Sequence, residues 1–125
     1  MPQNLGITDN ISFKNYQETD TSPTISAGNL NLNLSLGNIF IVSRDQNINL
    51  ISITNSPSNS HTGNFTLILE NAIGSGGTIT WPASIKWPGG TAPTISNTLG
   101  KRDIFSFISL DGGTSWIGFI GMQNI

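Results

Sequence analysis

The chain has 125 residues, of which 36% are hydrophobic and only 10% are charged, and it contains no cysteine. This length predicts a single domain, and the missing cysteines exclude disulfides and thiolate zinc sites. The net charge is −2 and Lys101-Arg102 is the only adjacent basic pair, which argues against a nucleic-acid-binding protein. We find no signal peptide and no apolar run near the roughly 20 residues of a membrane helix. A surface with so few charges gives little repulsion between copies, which favours work within a large assembly.

The first 25 residues are polar, with scattered apolar side chains, and they end in a turn-prone stretch around Pro23. One interpretation is a loosely ordered terminus. The other is an arm that leaves the domain and pairs with a neighbouring subunit or the capsid by strand addition, burying Ile11, Phe13 and Tyr16. We favour the arm.

Residues 29–36 read NLNLNLSL, with leucine at every second position. This strict alternation predicts a strand with one buried face and one solvated face. The asparagine face is interpreted as solvated, with stacking between subunits as the alternative.

Two further strands are predicted before the middle of the chain. The continuous apolar run 39–42 indicates a strand covered on both sides. Residues 44–47 predict a turn. Residues 48–53 resume as a strand that contributes Ile48 and Leu50 to the core, with Ile53 as a further candidate.

The polar loop 54–63 contains the only histidine, His61, which is interpreted as an exposed bystander because no catalytic or metal-binding partner lies near it in sequence. Residues 64–70 alternate again, with their odd-numbered side chains facing one way. The glycine-rich turn 72–77 lacks the spacing of a phosphate-binding loop. A short strand is predicted over 78–81.

The C-terminal part contains the clearest turn. The runs 103–110 and 114–120 are predicted to form a hairpin joined at 111–113, where glycine supplies the positive φ of a tight turn. Before it, Trp81-Pro82 and Trp87-Pro88 bracket an extended segment.

The three tryptophans are candidates for the core or for a contact surface. Trp81 and Trp116 fall on predicted strands and are assigned to the core. Trp87 is followed by Pro-Gly-Gly and is assigned as the possible surface contact, since exposed tryptophans stack on sugar rings and anchor interfaces.

No catalytic motif is recognisable. The sequence has no G-x-S-x-G elbow, histidine pair or calcium loop, and turn formation explains Asp111. We therefore predict a protein that is not an enzyme and has no catalytic residue, cofactor or metal ion.

Several separated motifs carry a resemblance to a known family. They are GNFTLIL at 63–69, TITWP at 78–82, KWPGGTAPT at 86–94, DIF at 103–105 and DGGTSW at 111–116. In this order they resemble the β-structured domain found at the C-termini of fibre and tail proteins of tailed bacteriophages. The resemblance runs from about Ser26 to the C-terminus. It implies a virion protein that is commonly a homotrimer. The absence of cysteine is compatible with folding in the host cytoplasm.

The expected fold is therefore all-β: an antiparallel β-sandwich of jelly-roll type over residues 26–125, with residues 1–25 as an extended N-terminal arm. The expected function is that of a capsid decoration protein on the outer shell, which the short, methionine-initiated chain favours over a long fibre. The alternative is a tail-fibre or head-fibre tip that binds host-surface glycan through Trp87 and the loops 54–63 and 72–77. A polysaccharide-degrading enzyme is the third reading, with the least support. The expected partners are copies of the chain, the major capsid protein or tail proteins, and no nucleic acid or membrane.

Overall fold

The computed structural model describes residues 17–58 and 61–125, and within these ranges it contains strands, one 3₁₀ turn and no α-helix. The all-β prediction is confirmed. The 3₁₀ turn spans Pro88–Gly90. The strands are β1 (Asp20–Thr21), β2 (Asn29–Asn33), β3 (Ile39–Arg44), β4 (Leu50–Thr54), β5 (Gly63–Asn71), β6 (Ile85–Lys86), β7 (Arg102–Ser109) and β8 (Trp116–Met122).

The strands form two sheets. Six of them make a mixed sheet in the order β1-β3-β5-β7-β8-β6, and β2 and β4 make a second, smaller sheet. The pairs β1-β3, β3-β5, β2-β4 and β6-β8 are parallel, whereas β5-β7 and β7-β8 are antiparallel. The pairing thus differs from the fully antiparallel arrangement that the sequence predicts, and a jelly-roll is not confirmed.

The parallel pairs arise because the first five strands alternate between the two sheets, so that the chain winds as a coil. Asp20 pairs with Ile39, nineteen residues further on, and Ile39 pairs with Thr66 after twenty-seven residues. In the second sheet Asn29 pairs with Leu50. Each return to the same sheet passes through the other sheet, which brings the new strand back in the same direction. An alternating pattern shows which side chains face the core but not the direction of the neighbouring strand.

A single hydrophobic core lies between the sheets. Its aromatic centre is Phe65, whose ring stacks on Phe107 at 4.7 Å and meets Trp116 edge-on at 4.9 Å. Leu30 and Leu32 reach this core from the second sheet. The core also contains Ile25, Phe40, Val42, Ile48, Ile51, Leu67, Leu69, Ile85, Trp87 and Phe105.

The alternating predictions are confirmed where the structure has a regular ladder. In β5 the odd-numbered side chains from 63 to 71 are buried, and β7 and β8 form the hairpin around Gly112 and Gly113, both with positive φ. β2 buries Leu30 and Leu32 but ends at Asn33, so Leu36 is exposed.

Three predictions in the first half are wrong in detail. β3 is covered on one face only, because Ile41 is exposed. Leu50 is exposed and Ile51 takes the buried position, although Ile48 is buried as predicted. Arg44, predicted in a turn, is the buried last residue of β3.

Residues 78–81, which follow the glycine-rich turn, do not form the predicted strand. Ile79 makes a single parallel bridge with Ile48. Its neighbours hydrogen-bond to Ile48 on both sides, through the Thr78 carbonyl and the Thr80 N–H. The proline at 82 then ends this short contact.

The hairpin turn is held by Asp111. Its carboxylate accepts hydrogen bonds from the Ser115 hydroxyl at 2.7 Å, the Ser115 N–H at 2.9 Å and the Ser109 hydroxyl at 2.8 Å. These bonds lower the pKa of Asp111 to about 2, and the bond from the Ser115 hydroxyl has the largest effect. The Ser109 oxygen also accepts from the Gly113 N–H at 2.8 Å. A side-chain network therefore fixes the turn that the glycines permit.

The predicted N-terminal arm lies partly outside the described residues. Ile11, Phe13 and Tyr16 fall outside the described residues, so their contacts stay a prediction. Within the first 25 residues, β1 pairs with β3 at the edge of the large sheet and Ile25 is buried in the core.

Candidate interaction surface

The large sheet packs against the core with one face and turns the other face outward. The outward face is also apolar. Alternation in β8 places Trp116 and Gly118 inside, and Ile117 and Phe119 outside. Ile117 is 40% exposed, Phe119 49% and Met122 56%. We call this surface the outer apolar face and define it by Ile39, Ile41, Ile68, Ile104, Ile108, Ile117, Phe119 and Met122.

Strand register places these side chains in contiguous rows. Directly paired residues share one face of a sheet, with Cβ atoms about 5 Å apart. The first row runs across Ile41, Ile68, Ile104 and Met122. The second is Ile39, Thr66, Ser106 and Phe119, and the third is Asn64, Ile108 and Ile117. None of these eleven residues is charged.

A bulge keeps Met122 on this face. The β7-β8 register shifts between Ile104 and Phe105, so Ile104 pairs with Met122 while Phe105 pairs with Ile120. The extra residue is Gly121, where a Cβ would lie 3.0 Å from the Ile104 carbonyl oxygen. Bulges of this kind redirect the side chains that follow them.

Charged residues stand at the borders of the face. At the end of the strands, Arg102 Nε donates to Glu70 Oε2 at 2.9 Å, and both side chains are partly exposed. Asp20 is exposed in β1, beside Ile39. Lys86 is exposed in β6, beside Ile117. The two lateral edges of the sheet therefore carry opposite charges.

Trp87, the sequence's candidate for a surface contact, is buried at 9% exposure. Its ring meets Trp81 edge-on at 5.0 Å and Phe107 at 5.6 Å, and the absent side chain of Gly118 leaves it room. Expecting Trp87 at the surface was wrong because Pro-Gly-Gly does form a turn, but the tryptophan before it points into the core. Trp116 is buried and Trp81 packs against the core, as predicted.

A buried polar centre lies at one end of the core. Arg44 is 1% exposed, and its Nη1 and Nη2 atoms find no hydrogen-bond partner in the described part of the chain. Burial lowers the pKa of Arg44, and the nearby Asp103 carboxylate acts in the opposite direction. Asp103 accepts from the Ser96 N–H at 2.6 Å, the Ser96 hydroxyl at 2.5 Å and the Asn124 N–H at 3.0 Å. This centre ties the β7 strand to the two segments beside it.

A cleft of about 290 Å³ opens where the chain leaves β1. Ser22 to Ile25 form one wall, and Ile41 to Ser43 with Asp45 and Glu70 form the rest. It carries two carboxylates, of which Glu70 is paired with Arg102. No group of three His, Cys, Asp or Glu side chains that could hold a metal ion occurs in residues 17–58 and 61–125.

The loop 54–63, one of the two named for glycan binding, ends beside the buried Trp116, because a Cβ on Gly63 would lie 3.5 Å from that ring. His61 is exposed, and its Nδ1 lies 2.6 Å from the Ser58 hydroxyl. The turn 72–77 is organised by Asn71, whose side-chain oxygen accepts from the Ile73 and Gly74 N–H groups.

Among the described residues, no helix has the length and apolar character needed to cross a bilayer.

Sequence reasoning missed the outer apolar face as a site. The signal was present in β8, where apolar residues stand at both odd and even positions, a pattern typical of strands covered on two faces.

No protein-family model, curated protein or solved structure matches this chain.

Proposed function

We propose that this chain is a non-enzymatic structural protein of a tailed-phage virion, and specifically a decoration protein on the outer capsid shell. The observation that supports this most is the outer apolar face. Isolated soluble domains rarely expose contiguous apolar patches of more than a few hundred Å², and larger patches mark interaction sites. Ile117, Phe119 and Met122 are each at least 40% exposed there.

The assignment to a virion rests on the motifs between residues 63 and 116 and their resemblance to phage fibre and tail domains. The geometry adds a reason for assembly, because three uncharged rows on one sheet face need a covering partner. Within the virion, the proposed partners are further copies of the chain and the major capsid or tail proteins.

The alternative role, a fibre tip that binds host glycan, has less support. Its leading contact residue, Trp87, is buried against Trp81 and Phe107. A sugar ring stacks on an exposed aromatic face, and Trp87 does not offer one.

The test is localisation on intact particles by cryo-electron microscopy with gold-labelled antibody, using particles that lack the gene as the control. Density at regular positions over the icosahedral shell is the expected result. Density at the tail alone would overturn the decoration role and favour the fibre alternative. No density anywhere on the particle would overturn the virion assignment.

A further inference from the structure

We propose that the outer apolar face binds a second copy of this chain, face to face, about a two-fold axis that runs parallel to the strands between β5 and β7. The inference rests on the proposed assembly role and names the partner for that surface. It replaces the trimer implied by the family resemblance with a symmetric dimer.

The strand order supplies the symmetry. The large sheet has six strands, and its midline lies between β5 and β7. A two-fold axis along that midline places β1 of one copy over β6 of the other, β3 over β8, and β5 over β7. Such an interface is isologous, because each patch contacts its counterpart reciprocally.

The first two rows become complementary under this operation. Ile41 of β3 then faces Met122 of the second copy, and Ile68 faces Ile104. In the second row Ile39 faces Phe119, while the small Thr66 and Ser106 meet at the middle. Bulky side chains on β8 therefore lie over the shorter ones on β3.

The border charges also become complementary. Asp20 on the β1 edge of one copy lies over the β6 edge of the other, where Lys86 stands one row further along the strands, about 6.7 Å away. At the end of the strands, Glu70 of β5 lies over Arg102 of β7 in the second copy. Each contact occurs twice. An axis across the strands would instead place the two β1 edges, which carry Asp20, over one another and the two β6 edges, which carry Lys86, over one another, and like-charge repulsion disfavours this arrangement.

The size of the face is sufficient for a weak dimer. Four strands about 4.8 Å apart and three rows about 6.7 Å apart span roughly 20 Å by 20 Å. Two such rough surfaces bury on the order of 1,000 Å² in total, near the lower limit for a specific interface. The interface would be apolar at its centre and charged at its rim, as protein–protein interfaces commonly are.

The experiment is a measurement of mass by light scattering and analytical ultracentrifugation on the purified full-length chain. We expect a concentration-dependent dimer. Phe119→Lys should abolish dimerisation, since it places two charges in the apolar centre, while circular dichroism remains that of a folded domain. Leu99→Lys is the matched control, because Leu99 is more exposed than Phe119 and lies in a turn outside the face.

Charge reversal tests the direction of the axis. Asp20→Lys and Lys86→Glu should each raise the dimer Kd about tenfold, and the double variant should restore it. Within one chain these residues lie on opposite edges of the sheet, roughly 24 Å apart at about 4.8 Å per strand, so rescue cannot come from one chain.

A wild-type monomer would overturn the inference, whether the face is then covered by residues 1–16 of its own chain or by another virion protein. A wild-type trimer would also overturn it, as would a Phe119→Lys variant that still dimerises. So would a double charge-reversal variant whose dimer Kd stays raised. These outcomes are read on purified protein, so they leave the localisation result untouched.

Discussion

Replacing Asp103 by asparagine should destabilise the protein far more than replacing the nearby buried Arg44 by methionine. Asp103 is 2% exposed, and its two carboxylate oxygens receive three donors, two from Ser96 and one from Asn124. Asparagine removes the charge that faces the buried guanidinium and puts a donor among donors. Leaving a buried charge without an opposite charge nearby costs up to about 3–5 kcal/mol, a large share of a typical domain stability of about 5–15 kcal/mol.

Arg44→Met has a different balance. The Nη1 and Nη2 atoms make no hydrogen bond within the described residues, so methionine sacrifices few bonds and removes a desolvated charge. Asp103 keeps its three donors. The expected cost is about 1–2 kcal/mol. The double variant should be more stable than Asp103→Asn alone, because the uncompensated cation is then gone.

Urea unfolding followed by tryptophan fluorescence measures these differences, since Trp87 and Trp116 are buried. Far-UV circular dichroism of each variant establishes that it folds. Equal losses for the two single variants, or a larger loss for Arg44→Met, would refute the reasoning. A double variant less stable than Asp103→Asn would refute it as well.

Three further predictions concern the core and the hairpin. Trp87→Ala should lower the free energy of unfolding by about 3–5 kcal/mol in urea melts, because the ring is buried. An unchanged urea midpoint would show that the Trp87 ring is not packed in the core. Gly118→Ala should cost about 1–3 kcal/mol by the same measurement, since its Cβ would lie 2.7 Å from the Trp87 ring; a neutral effect would show that the ring can move. Asp111→Asn should lower the thermal midpoint at pH 7. That deficit should disappear as the pH falls, because the Asp111 contribution is present above its unfolded pKa near 3.8 and is lost through the folded pKa of about 2. A deficit that persists at pH 2 would contradict the assignment.

The sequence predicts the regular antiparallel half of the fold well. β5 alternates without interruption and Asp111-Gly112-Gly113 specifies a turn, so the strands and the β7-β8 pairing follow from local pattern, whereas the β5-β7 pairing does not. In the first half, pattern predicts strands but not partners. β2 and β4 pair in parallel across a long connection, and nothing within either strand encodes that choice.

The remaining errors share a physical cause, which is that tertiary contacts decide burial at short or irregular segments. Ile48, Leu50 and Ile51 can satisfy two alternating registers, and packing selects the one that exposes Leu50. Arg44 is buried although charged, and the carboxylate that favours its charged form, Asp103, lies on a strand nearly sixty residues later. The apolar pattern of β8 alone indicates the outer apolar face. The extent of that face follows only from the register of β3, β5, β7 and β8, which the sequence does not give.

The coiled winding of the first five strands also bears on how the chain can be altered. Between β1 and β3 one turn takes nineteen residues, and between β3 and β5 it takes twenty-seven, yet both ladders stay parallel and in register. Eight residues of the longer turn, 55–62, form the polar connection from β4 to β5 that contains His61. A short epitope inserted there would lengthen one turn without shifting its neighbours, which gives an internal handle for imaging that leaves the outer apolar face and the N-terminal residues unmodified.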